Sequence, residues 1–150
     1  MIGVGNALRS DDAVGLVVAR RLHGRLPSGV DVLEREGEPT SLIDAWDGTE
    51  AVWVIDAVSS GAAPGTIHRV DAGNQPVPAA FARGSTHHFG LPEAVELARA
   101  VGRLPERFVV YGVEGARFDT GAEMSPAVAA AADDVAAAIR EEVLACTNER

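Results

Sequence analysis

Gly3-Val4-Gly5-Asn6-Ala7-Leu8-Arg9-Ser10-Asp11-Asp12-Ala13-Val14-Gly15 runs a glycine-rich turn into two adjacent carboxylates and then into an apolar pattern of helical period. Gly3 and Gly5 permit a sharp exit from a strand, and Asn6 tolerates unusual backbone angles. Ser10, Asp11 and Asp12 are natural caps for a first helical turn. The stretch therefore reads as strand, tight turn, helix, with a carboxylate pair at the strand's carboxyl end. In an open α/β sheet that edge is where ligands bind. A nucleotide is a weak match: the spacing is G-x-G-N rather than G-x-G-x-x-G, and no third glycine follows at the fingerprint position.

Working outward, Met1 to Val4 forms a first strand that is short or truncated. Val14, Val17, Val18 and Leu22 continue the helix until Pro27-Ser28-Gly29 stops it. Val30 to Leu33 predicts a second strand and Thr40 to Trp46 a short helix. Ala51-Val52-Trp53-Val54-Ile55-Asp56 is apolar until its final residue, the signature of a buried central strand. After Pro64-Gly65, Thr66 to Asp71 alternates as a half-exposed strand, expected antiparallel to the one before it. Gln75 to Ser85 reads as loop. A helix from about Pro92 uses Leu91, Val95, Ala98 and Val101 as its apolar face. Arg107 to Gly112 is the fifth strand. Ser125-Pro126 opens a long last helix that buries Val128, Ala132, Val135, Ile139 and Val143. The expectation is α/β: a single domain over residues 1–150, three layers (α/β/α), and a mostly parallel, mixed five-stranded sheet.

Composition narrows the function classes. The 150 residues carry a formal net charge of -9, and the positive side chains are scattered, which argues against nucleic acid or an anionic membrane surface as partner. No apolar run approaches the ~20 residues of a membrane span. One cysteine, Cys146, leaves no internal disulfide, and with no basic stretch followed by an apolar run ahead of the first strand a secretory leader is not expected. A reducing cytoplasm is the expected compartment and a monomer the expected state.

Three places carry candidate chemistry. Asp11 and Asp12 follow the first strand; either could cap the helix that follows. Asp56 closes the most apolar strand, where an ionised carboxylate requires donors, a cation or a metal. His87 and His88 stand on a loop just ahead of a helix, within reach of the same sheet edge. His23 and His68, inside predicted regular elements, read as structural. If the first and third strands are parallel neighbours, Asp12 and Asp56 share one edge, and two carboxylates with one imidazole make a three-donor site with open positions for a divalent metal.

Taken in order, these segments resemble one family, the hydrogenase maturation proteases that process the large subunit of nickel-iron hydrogenases. The resemblance lies in G-x-G-N-x-L-x-x-D-[DE]-x-x-G, here Gly3 to Gly15, and a strand ending in Asp, Val54-Ile55-Asp56-Ala57. It continues through Pro64-Gly65-Thr66 and H-x-x-G-L, here His87-His88-Phe89-Gly90-Leu91. The resemblance implies an endopeptidase that removes a C-terminal extension from the hydrogenase large-subunit precursor after nickel insertion. The nickel would come from the precursor as the recognition element, and no nucleotide would be needed. Residue by residue it implies Asp12, Asp56 and His87 as catalytic and metal-contacting groups. His88 is a possible substitute in the doublet, and Asp11 falls to a supporting or capping place. Nickel-assisted hydrolysis and a metal-free mechanism in which Asp12 and Asp56 share a proton both fit this set. A non-catalytic metal- or peptide-binding α/β module is the alternative. Where the family often has Asp-Gly-Gly-Thr after the second strand, this chain reads Leu33-Glu34-Arg35-Glu36-Gly37-Glu38-Pro39-Thr40.

Overall fold

The computed structural model describes residues 1–84 and 90–149. Five strands, β1 (Ile2–Val4), β2 (Leu33–Arg35), β3 (Ala51–Val58), β4 (Ile67–Asp71) and β5 (Arg107–Glu114), form one sheet in the order β2-β1-β3-β5-β4. All neighbours are parallel except β4 against β5. Four helices flank it: α1 (Val14–Leu22), α2 (Pro39–Trp46), α3 (Leu91–Ala100) and α4 (Pro126–Asn148). The three-layer α/β/α expectation holds. None of the described helices is long and apolar enough to cross a membrane.

Period-two alternation along β3 assigns the layers. Val52, Val54 and Val58 join the core beneath α2 and α3, where Trp46 meets Phe108 edge-on at 4.8 Å. Trp53, Ile55 and Ala57 join the opposite core beneath α1 and α4. The last helix buries the five residues expected of it: Val128, Ala132, Val135, Ile139 and Val143.

Several expectations are corrected. The second strand is Leu33–Arg35 rather than Val30 to Leu33, because its one ladder partner is β1; pairing starts at Ile2↔Leu33 and climbs from there. The fourth strand does not pair with the third. Both flanks of β3 are taken, by β1 and β5, so the chain leaving Pro64-Gly65 passes over β5 and pairs antiparallel on its far side, His68 opposite Gly112. The presumed loop before Ser85 contains a 3-10 turn, Ala79–Gly84. Val101 is not a core residue: it lies one position beyond α3 and is 57% exposed.

The motif glycines are explained by close approach. A Cβ on Gly15 would sit 2.3 Å from the Val4 carbonyl oxygen and 2.4 Å from that of Ile55, so the start of α1 rests directly on β1 and β3. A Cβ on Gly5 would meet the Asp12 carbonyl oxygen at 1.9 Å.

Asp11 does not cap the helix that follows it. It sits in a 3-10 turn, Ser10–Ala13, fully buried, and reaches across to the segment between β5 and α4. Its carboxylate accepts from the amides of Ala116 (2.7 Å), Arg117 (3.1 Å) and Ser125 (2.7 Å) and from the Ser125 hydroxyl (2.8 Å). Ser125 is the N-cap of α4, and its hydroxyl donates to Asp11 rather than closing onto the helix's own amides. A buried charge demands donors, and this one is well supplied. Burial alone would raise the Asp11 carboxyl; the Ser125, Ala116 and Arg117 amides and the Ser125 hydroxyl outweigh it and hold the group below its ordinary value.

Because the folded value is depressed, Asp11 contributes stability that is complete above its ordinary value of 3.8 and is lost as pH falls through the lower folded value. Asp11→Ala strands these donors and is expected to cost about 3 kcal/mol in denaturant unfolding at pH 7. The wild-type advantage over the variant should shrink on acidification.

Candidate functional site

The parallel strands β2, β1 and β3 lie side by side, and each delivers one carboxylate at its carboxyl edge. Asp56 comes from β3 itself. Alternation places it between Val54 and Val58, so its side chain takes the α2/α3 face in a row otherwise filled by core residues. Asp12 comes from the 3-10 turn after β1, and Glu36 from the residue after β2. Together with Val4, Gly5, Asn6, Gly37, Gly90 and Leu91 they line a cavity of about 140 Å³. That volume suits a metal ion or one side chain; it cannot enclose a peptide segment. A larger cavity, about 320 Å³, lies at the opposite edge between Met1, Val30, Asp31, Trp53 and Cys146, away from all three acids.

The cavity's far wall is the start of α3. Gly90 is its N-cap, and the Gly90 amide donates to Glu93 Oε2 at 2.8 Å, with Pro92 in the first turn as its sequence position predicts. His87 and His88 lie outside the described residues. Among the described residues no group of three His, Cys, Asp or Glu side chains is arranged to hold a metal ion.

Asp56 is partly exposed, into the cavity. Burial pushes its carboxyl well above the ordinary carboxylate range, the nearby charge of Asp12 pushes it further, and the Ala57 amide opposes both. Asp12 and Asp56, far apart in sequence, thus line one cavity and feel each other's charge. Asp12 keeps 15% side-chain exposure and stands 4.0 Å from Arg9 Nη1. Arg9 is fixed by its Nε, which donates to the Phe118 carbonyl at 3.1 Å.

A second polar cluster lies one strand over. Glu114, 1% exposed, accepts from the Ser60 amide at 3.1 Å and from the Ser60 hydroxyl, and meets His68 Nε2 at 3.0 Å. Since Val58 pairs with Glu114, this cluster ties down the chain that leaves Asp56. Sequence reasoning missed Glu36 and Glu114. The signal that singled out Asp56, an acid closing an apolar strand, is present at Phe108 to Glu114 as well, and Glu36-Gly37 follows β2 at the same edge.

A family model described as "Hydrogenase maturation protease" matches residues 17–142. The chain is 30% identical to the "Hydrogenase 2 maturation protease" of Escherichia coli (strain K12), covering 94% of this chain and 90% of that one. It is also 30% identical to the "Hydrogenase expression/formation protein HupD" of Rhodobacter capsulatus, covering 94% and 69%. Among solved structures, an endopeptidase from Escherichia coli superposes with a TM-score of 0.78 at 29% identity, covering 94% and 91%. The [NiFe] hydrogenase maturation protease HycI from Thermococcus kodakarensis KOD1 gives 0.73 at 26%, covering 95% and 89%.

The crowding of Asp56 and Asp12 has a measurable cost. Asp56→Asn keeps the shape and removes the buried charge, so the thermal midpoint at neutral pH is expected to rise by a few degrees, about 1 kcal/mol. A fall in the midpoint would mean that Asp56 is stabilised by its surroundings rather than strained by them.

Proposed function

The chain belongs to the hydrogenase maturation protease family, and on that premise we propose that this hydrolase removes the C-terminal extension of a nickel-iron hydrogenase large-subunit precursor once nickel is in place. It acts as a monomer in the cytoplasm. The observation that carries this reading is the meeting of Asp12 and Asp56 in one cavity against the N-terminus of α3. The H-x-x-G-L register assigns the motif's histidine to His87 rather than His88.

Nickel arrives as part of the substrate. Asp12, Asp56 and His87 engage it from its open coordination sides, which fixes the scissile peptide beside the cavity. A nickel ion there supplies Lewis acidity toward the scissile carbonyl. Water adds to the carbonyl carbon, the C–N bond breaks, and the proton released by the water ends on the leaving amine. A carboxylate of the cavity wall accepts that proton and passes it on. The small volume makes recognition depend on what the precursor presents, an ion and its immediate neighbours, rather than on an enclosed peptide. Nickel thereby serves as a checkpoint: without it, two acids with no cation between them repel.

The raised carboxyl of Asp56 beside Asp12 favours one further reading, in which the pair shares a proton and activates water without a metal. Nickel dependence separates the two. A non-catalytic binding module would leave the precursor's mass unchanged.

Replacing Asp12, Asp56 or His87 by Ala should leave the circular dichroism spectrum intact and slow clipping of the nickel-loaded precursor by at least about hundredfold, read by intact mass. His88→Ala should clip normally. Loss of activity in His88→Ala with retention in His87→Ala would reverse the assignment within the doublet.

A further inference from the structure

Leu8 is 71% exposed, the most exposed of the large apolar side chains among the described residues, and it sits in the loop that leads from Asn6 in the cavity wall to Asp12. A single exposed leucine is ordinary on a mobile surface. This one is held out by force. Its amide donates to Asn6 Oδ1 at 2.9 Å and its carbonyl accepts from the Gly121 amide at 2.9 Å. The next residues are fixed too: Arg9 to the Phe118 carbonyl, and the Ser10 hydroxyl to the Glu123 carbonyl at 2.9 Å. Ser10 has φ of 54°, a left-handed conformation costly for a residue with a Cβ. These bonds hold the Leu8 backbone in place, and its side chain is left exposed among the described residues.

We infer that Leu8 is an apolar anchor for the precursor: it seats against an apolar patch of the protein substrate bordering the nickel site, so that the acids beside it meet the metal. The inference rests on the proposed function. The occupant follows from continuity with the cavity: whatever protein surface presents an ion to Asp12 must lie over Asn6 and Leu8. Pre-organisation adds to the effect, since a side chain on a pinned loop loses little freedom on docking.

The test measures Kd and steady-state clipping with a nickel-loaded large-subunit precursor for wild type, Leu8→Ala, Leu8→Asp and Leu97→Ala. Leu97 is comparably exposed at 52% but lies near the far end of α3. Leu8→Ala should raise Kd and KM about tenfold with kcat and thermal midpoint unchanged, and Leu8→Asp should raise them further. Leu97→Ala should match wild type. Unchanged Kd and KM in both Leu8 variants while wild type clips normally overturns the anchor and leaves the protease reading standing. Weaker binding by the Leu8 variants of a precursor that wild type binds without clipping upholds the anchor and overturns the protease reading. An equal loss in Leu97→Ala also overturns the anchor.

Discussion

Four donors from a segment more than a hundred residues away converge on the Asp11 carboxylate, and that convergence decides where its neighbour Asp12 can stand. The turn after β1 has no side-chain cap of its own. It is held instead by a buried ion whose partners are the amides that follow β5 and the residue that starts α4. Movement of either loop would cost Asp11 its donors, so strand, turn and last helix are locked together at the edge that carries the site. The close seating of Gly15 on Val4 and Ile55 completes the lock from below. Two adjacent aspartates thus divide the labour: one is neutralised structurally so that the other can be presented.

The presented acids are crowded. Asp56 is raised by burial and by Asp12, and Glu36 lines the same small cavity. A fold selected for stability alone would fill the row of Val54 and Val58 with another apolar residue. An acid kept there at an energetic cost is the mark of a residue retained for function rather than for packing. The Ser60, His68 and Glu114 cluster holds the strand end that bears Asp56 against that repulsion.

Most of the fold was legible because its signals are local. Asp56 announced itself as a charge closing an apolar strand, and Ser125-Pro126 announced a helix start. What could not be read was set by partners distant in sequence. The second strand is shifted because only β1 defines its register, and the fourth strand pairs with β5 because β3 has no free side. Asp11 looked like a helix cap because its true donors lie beyond residue 115. Glu36 was overlooked because the acid-rich run Glu34 to Glu38 offers no periodicity to single out one member; the cavity does so. The pairing of Asp12 with Asp56 was legible only on the condition that β1 and β3 be parallel neighbours, and they are.

On the proposed function, these acids read nickel in a precursor and cleavage follows. Intact-mass analysis of one large-subunit precursor, incubated with the wild-type chain in nickel-loaded and nickel-free form, tests it most directly. The expected result is loss of a single C-terminal peptide from the loaded form and none from the nickel-free form. Equal cleavage of both forms, or no mass change in either, would contradict it.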